Sequence, residues 1–495
     1  MTWLATLSWF LVGLYGVFYN ISYIDEAKYL IKGWLMTTGQ IGYYSTPEFF
    51  YQHMPGGLLW FGLGQKLFGP NLLVARLQSL ALSGLIFWLT FTLTKTILGK
   101  TAGKLGLLVL SLMPVVCLYY SSAVPQALVI TTLLLAFIAL AKRKYLWSSF
   151  WFTLVLIVRE NFIFTLGLYL LFLIWQLKNV KEIGKNLAVI AVTLLIFILP
   201  GWPGILTMFS LFPGLKTLLD LPKIAQDPDV IHQVFDLPLY FTAIKEFVGI
   251  YLSFLLSFLW ALIKIRQVKL PEFKLRLLYF LLAVAGFNFF AHVWGAFNSS
   301  PRAIVSYMAY IGPLLAVITA VLISNFKQSW LKVYPVLLVI ALISIKFASI
   351  PGGLKQPTHL QQINNSVSEV KQLTAGKDKI IWLAEPITLY LSGKISYYPL
   401  INHTNFFRSS TDTQAVRRLG FWNQEIMKGW LNEADFVVVD ANRLAFLEQK
   451  SPEGKSTATM IRTTLEDNFT LVTPNNYIWP GNLSFYLPNN IATTF

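Results

Sequence analysis

Along the first 350 residues, long apolar stretches alternate with short polar loops, and the apolar stretches have the length of membrane spans. About 20 mostly apolar residues cross roughly 30 Å of hydrocarbon. Eleven segments meet that demand, with centres near Phe10, Gly84, Leu112, Leu133, Leu154, Leu168, Leu194, Leu256, Ala285, Leu315 and Ile340. After Pro351-Gly352-Gly353 the pattern becomes that of a soluble unit. Ile363, Val367 and Val370 repeat at helical spacing up to Gly376. Residues 379–384 read as a buried strand, Glu385-Pro386 opens a short helix that Gly393 ends, and residues 395–400 return as a strand. Residues 436–440 form the clearest strand, with weaker ones at 469–472 and 484–487. The expectation is a polytopic α-helical membrane protein of about eleven transmembrane helices, residues 1–350, with a small C-terminal α/β domain, residues 351–495.

Composition agrees, with 55% hydrophobic and 13% charged residues. A net charge of +16 read alone would suggest nucleic acid, but its distribution excludes that partner. Residues 351–495 hold 13 basic and 12 acidic side chains, whereas the first 350 hold 26 and 11. Alternating the spans from a cytoplasmic N-terminus puts sixteen basic residues, among them Lys142, Arg143, Lys144 and Arg266, in inner loops with two acids, Glu182 and Glu272. That asymmetry is the positive-inside pattern. It places the Asp25-Glu26 loop, Arg159-Glu160, residues 201–247, residues 298–302 and everything after Pro351 outside. The first apolar segment lacks a basic n-region and an Ala-x-Ala-like site, so it reads as a retained span. A single cysteine, Cys117, leaves the outer domain to stand on its own core.

Nine of the eleven acids in the membrane portion fall on the outer side, and His53, Arg76, Arg159, His292 and Arg302 accompany them at the same level. Carboxylates beside cations at a hydrocarbon boundary suit a reaction in which a lipid phosphate leaves and an acceptor hydroxyl or amine attacks. A carboxylate takes the acceptor proton. A guanidinium neutralises the phosphate, bidentately where geometry allows. Asp25 is also a good helix N-cap for the stretch that follows it, and the two roles are compatible. Neighbouring residues on a helix do not share a face, so Glu26 points elsewhere, to bind a cation or support the fold. Arg159 and Arg302 also suit the snorkelling ends of spans. Asp25, Glu26 and Glu48 offer hard oxygens to a divalent metal such as Mg or Mn, although such ions are held weakly without more ligands.

Ile24-Asp25-Glu26-Ala27-Lys28-Tyr29, then Tyr51-Gln52-His53-Met54-Pro55-Gly56, then Arg76-Leu77-Gln78-Ser79-Leu80, resembles the first-loop signature of the protein O-mannosyltransferase superfamily. This C-type glycosyltransferase group includes the bacterial lipid A aminoarabinose transferases. Ser300-Pro301-Arg302-Ala303 leading to Tyr310-Ile311-Gly312-Pro313 is similar to the family's later Arg-Tyr…Pro segment. Two positions depart from the pattern: Gln52 stands where many members have Glu, and Ala303 where they have Tyr. The resemblance implies inverting transfer of a sugar from a polyprenyl-phosphate donor to a protein, lipid or cell-envelope glycan acceptor on the non-cytoplasmic face. It makes Asp25 the catalytic carboxylate, with Glu26 or Glu48 as a second. Arg302, Arg76, His53 and Arg159 become the donor-phosphate set, and Glu48, Gln52 and Tyr29 contact substrate. A carrier flippase for lipid-linked sugars and a non-catalytic envelope-assembly subunit are the competing readings. Charges gathered at one face argue against the flippase, which would favour charges in mid-span.

Overall fold

A computed structural model describes residues 1–22, 24–43, 54–177, 179–203, 237–263, 270–297, 303–324, 327–347, 358–409, 412–418, 420–479 and 483–489. Ten of the eleven apolar centres lie on helices. The exception, Leu112, sits in the break between helices Lys100–Leu110 and Pro114–Tyr119, where Pro114 lacks the amide needed to continue the ladder. Among the described residues, six helices are long and apolar enough to cross a membrane: Thr2–Tyr19, Leu72–Leu98, Glu160–Leu177, Val180–Gly201, Tyr240–Ile263 and Glu272–Ala291. Their outer faces carry exposed Phe10, Trp88, Leu171, Ile196 and Phe290, a surface that water would penalise and lipid would not. The inner faces meet in one large apolar cluster that includes Trp9, Phe137, Phe152, Tyr169, Phe280 and Tyr310. The protein is a multi-pass membrane protein.

Two shorter helices stand apart from the spans. The first-loop helix, Ile24–Thr37, carries Asp25 and Glu26 in its first turn, where the amide ends of the helix favour negative charge. It buries Ala27, Leu30, Ile31 and Leu35 at helical spacing and stops at Gly39, whose φ of +76° the turn requires. The second, Pro55–Phe68, starts with Pro at its first position, where no helix bond is lost. The pair packs glycine on glycine. A Cβ on Gly33 would fall on the Leu58 carbonyl oxygen and one on Gly62 would fall on that of Gly33, and Thr37 Oγ1 donates to the Gly62 carbonyl at 3.0 Å.

The C-terminal unit is a four-stranded sheet of order β1-β2-β4-β3, with β1 Ile380–Leu383, β2 Phe436–Asp440, β3 Phe469–Val472 and β4 Leu483–Pro488. β1 and β2 pair in parallel with Ile380 opposite Phe436, and β4 runs antiparallel to both β2 and β3. Alternate residues feed two cores: Ile381, Leu383, Val437 and Val439 face one side, Ile380, Trp382, Phe436 and Val438 the other. The strand expected at 395–400 is not formed. Pro399 has no amide to donate, and Ser396 takes the ladder's place with its hydroxyl, accepting from Trp382 N at 3.0 Å and donating to Ile380 O at 2.8 Å. A 3-10 stretch, Tyr398–Phe406, follows instead.

The first-loop helix is clamped between the two parts. Its Ala27, Tyr29, Leu30 and Ile31 share one apolar cluster with Leu58 and Phe61 below and with Leu360, Ile363, Ile387, Tyr390 and Ile401 of the C-terminal unit above. Tyr390 meets Trp34 edge-on and donates its hydroxyl to Gln65 Oε1 at 3.3 Å.

Candidate active site

The two carboxylates at the start of the first-loop helix point to different places. Glu26 is fully buried and accepts from Arg76 through both oxygens, Oε1 from Nε at 3.0 Å and Oε2 from Nη2 at 2.7 Å. Its Oε1 also accepts from the Ala123 amide at 2.7 Å. Arg76, equally buried on helix Leu72–Leu98, spends its other donors on the carbonyls of Val17, at 2.9 Å, and Asn20, at 3.0 Å. This knot ties the end of the first span, the first-loop helix, helix Leu72–Leu98 and the turn at Ala123 to one another. The structure therefore gives Arg76 a different place from the expected donor-phosphate set: its guanidinium is committed to a protein carboxylate and two carbonyls, and no surface of it is open. Glu26 is likewise occupied and does not join Asp25 in a carboxylate pair.

Asp25, one residue earlier, keeps 48% of its side chain exposed and lies 3.7 Å from Lys28 Nζ. A second cation lies within its electrostatic reach, since Tyr310, Tyr29, Glu160 and Asp25 all act on the Arg159 guanidinium. Arg159 Nη1 donates to the Tyr29 hydroxyl at 3.3 Å, and its guanidinium carbon stands 5.4 Å from the centre of the Tyr310 ring. Nε of Arg159 is buried with no hydrogen-bond partner among the described residues. Burial pushes the Tyr29 hydroxyl well above its usual range, so it stays protonated at any ordinary pH.

Local sequence explains why these groups converge. Arg159 is the extended residue that ends helix Tyr145–Val158, and a single 3-10 turn, Glu160–Phe162, separates it from the next helix. The second loop helix comes close enough to reach this corner because it opens with glycine. A Cβ on Gly56 would lie 2.9 Å from the Ile157 carbonyl oxygen, and one on Gly57 3.3 Å from the Tyr29 ring. The Met54 amide meets Glu160 Oε2 at 3.5 Å. The site thus joins Asp25 and Tyr29 from the first-loop helix, Arg159 and Glu160 from the 158–160 corner, and Tyr310 from the late motif. Glu48, Gln52 and His53, within residues 44–53, and Arg302, within 298–302, lie outside the described residues, as does the side chain of His292.

A buried polar group that no sequence motif announces faces the same helix from the C-terminal unit. His403 is fully buried, with its Nε2 3.3 Å from Glu385 Oε2, and neither ring nitrogen has a hydrogen-bond partner among the described residues. Asn402 Nδ2 and Thr404 Oγ1 beside it are in the same condition. His403 holds a φ of +51°, a conformation that costs a non-glycine residue about 1–3 kcal/mol. Burial holds its pKa below the ordinary value, with Glu385 acting in the other direction. No spacing along the chain reveals this group, because Glu385 and His403 meet only through the fold. Among the described residues no set of three or more His, Cys, Asp or Glu side chains is gathered to hold a metal ion.

Known proteins share this architecture. The family model described as dolichyl-phosphate-mannose-protein mannosyltransferase matches residues 52–202, which include Arg76 and the Arg159 corner. No curated protein matches the sequence. Among solved structures, ArnT from Cupriavidus metallidurans bound to undecaprenyl phosphate superposes with a TM-score of 0.50 at 11% identity, covering 98% of this chain and 96% of that one. The oligosaccharyltransferase of Archaeoglobus fulgidus gives a TM-score of 0.46 at 9% identity, covering 98% of this chain and 75% of that one. The chain therefore shares the backbone fold of ArnT, and over residues 52–202 it matches the dolichyl-phosphate-mannose-protein mannosyltransferase model.

Proposed function

We propose that the chain transfers a sugar from a polyprenyl-phosphate donor to an acceptor on the non-cytoplasmic face, inverting the anomeric carbon, with Asp25 as general base. The observation that carries this reading is the division of labour at the head of the first-loop helix: Glu26 is consumed by Arg76, while Asp25 is left open beside Arg159. The acceptor's oxygen or nitrogen forms its bond to the anomeric carbon as that carbon's bond to the phosphate oxygen breaks. Asp25 takes the acceptor's proton, and the polyprenyl phosphate leaves with the bonding electrons. Arg159 supplies the cation for that phosphate, and the protonated Tyr29 hydroxyl braces it. Arg302 and His53 belong to the same phosphate set on this reading, and Glu48 and Gln52 to the acceptor side. The ArnT structure was solved with undecaprenyl phosphate, a ligand of the class proposed here. Arg76 and Glu26 become scaffold. Glu26 is not available to a divalent metal beside Asp25, because Arg76 and the Ala123 amide occupy its oxygens.

The test uses purified protein in liposomes with a panel of labelled polyprenyl-phosphate sugars and envelope extract. Wild type moves label from prenyl lipid to an acceptor, and Asp25→Asn lowers the rate about 10²–10⁴-fold, the usual yield of a positioned base. Equal rates would remove Asp25 from the mechanism. Movement of intact donor across the bilayer without transfer would replace the enzyme reading with the flippase.

A further inference from the structure

A groove of about 880 Å³ lies at the far end of the first-loop helix, between residues 40–42 and the C-terminal unit. From the C-terminal unit it is walled by Tyr398, Arg417 and one face of helix Gln424–Glu433, which presents Ile426, Gly429, Trp430 and Glu433. Those four stand at positions i, i+3, i+4 and i+7, so a single stripe of the helix faces the groove. Two features of the stripe bear on what the groove can hold. Gly429 sits mid-helix, where glycine is less favourable than alanine. Its backbone does not require glycine, and a Cβ there would meet no atom within 4 Å. The groove is therefore open directly above the helix backbone at this position. Trp430, in turn, is held rather than loose. Its ring stacks on Tyr397 at 4.6 Å and 16°, and the Tyr397 hydroxyl donates to Glu433 Oε1 at 2.8 Å while Lys379 Nζ holds Oε2 at 2.8 Å.

A fixed indole beside a carboxylate, a guanidinium and the Gln40 amide suits a chain of hydroxylated rings. The apolar ring faces of sugars lie on the aromatic surface, and their hydroxyls find both donors and acceptors at the rim. Among the described residues no strand lines the groove, so a peptide could not add to a sheet there. The volume is in the upper range of small-ligand pockets, room for more than one ring. At about 1.5 Å per residue, the helix carries the groove roughly 20 Å from Asp25. We propose that this groove holds a glycan strand belonging to the acceptor, so that the acceptor is an oligosaccharide-bearing molecule gripped one helix length from the reacting centre. This rests on the transferase reading.

The experiment is calorimetric titration of the purified full-length protein with neutral, N-acetylated and acidic hexasaccharides and their monosaccharides. At least one hexasaccharide binds wild type, at least tenfold more tightly than its monosaccharide. Gly429→Phe, whose Cβ would meet no atom within 4 Å and whose ring would extend into the groove, and Trp430→Ala each weaken it at least tenfold, with thermal midpoints near wild type. Asp25→Asn binds as wild type does. Absence of hexasaccharide binding, equal binding by Gly429→Phe, or binding of an unstructured peptide instead would overturn the proposal. Transfer without groove binding would remove the groove alone, and groove binding without transfer by wild type would remove the transferase reading.

Discussion

On the buried side of the first-loop helix, Glu26 meets Arg76 with both oxygens occupied and no contact with solvent. On the open side, one residue back, Asp25 is half exposed beside Lys28 and within reach of Arg159. Each region sets a carboxylate near a guanidinium, and one residue of helix, a turn of roughly 100°, separates the two carboxylates. In the knot every guanidinium nitrogen and both carboxylate oxygens have protein partners, which makes it a fastening. At the other corner Asp25 retains solvent, and the buried Nε of Arg159 has no hydrogen-bond partner among the described residues, which is why substrate is proposed there. Accessibility, and not residue type, separates structure from chemistry here.

Neutralising each carboxylate in turn should drive the two regions furthest apart. Glu26→Gln leaves a buried guanidinium without its countercharge, and removing one partner of such a pair costs about 3–5 kcal/mol. It should lower the thermal midpoint in detergent strongly, and its residual folded fraction should retain turnover per folded molecule. Asp25→Asn should do the reverse, with the transfer rate lost and the midpoint held. A melting loss in Asp25→Asn equal to that in Glu26→Gln would erase the distinction.

Arg159→Lys probes the same difference at a smaller scale. The charge stays, but the fork that reaches Tyr29 does not, and charge-assisted hydrogen bonds contribute about 1.5–3 kcal/mol. A fall of roughly 10–100-fold in kcat/KM for the donor is expected, whereas Arg76→Lys should act on stability first. Donor kinetics unchanged in Arg159→Lys would move the phosphate elsewhere.

The smallest effect concerns the C-terminal unit that closes the clamp. Burial holds both His403 and His359 below the ordinary value of 6.5. The unfolded chain then takes up protons before the folded one, so stability should fall as pH drops below about 6.5 and stay flat above it. Thermal midpoints across pH 5–8 measure this, and His403→Gln should flatten part of the slope. An unchanged slope would show that His403 meets its proton in the folded state as readily as in the unfolded one.

Much of the fold is legible in the amino-acid pattern. Apolar length alone locates the helices, since hydrocarbon demands it, and strand positions at 380–383, 436–440, 469–472 and 483–488 follow from short β-branched and aromatic runs. The departures share a cause. At 395–400 the composition is β-like, but Pro399 and the Ser396 hydroxyl replace the backbone ladder, a substitution visible only once β1 lies alongside. Arg76 reads as a phosphate ligand because its partner sits fifty positions earlier and its other acceptors are main-chain carbonyls, which carry no signature in sequence.

Composition and local spacing suffice for the membrane class, the helical segments and the nomination of Asp25, because each is a property of neighbours along the chain. Folding in three dimensions settles the rest: which of two adjacent carboxylates is fastened and which is open, that Arg159 and Tyr310 converge on Asp25, and that the C-terminal unit clamps the first-loop helix. Those outcomes depend on which groups, distant along the chain, compete for the same donors and the same buried space, and that competition is resolved by packing.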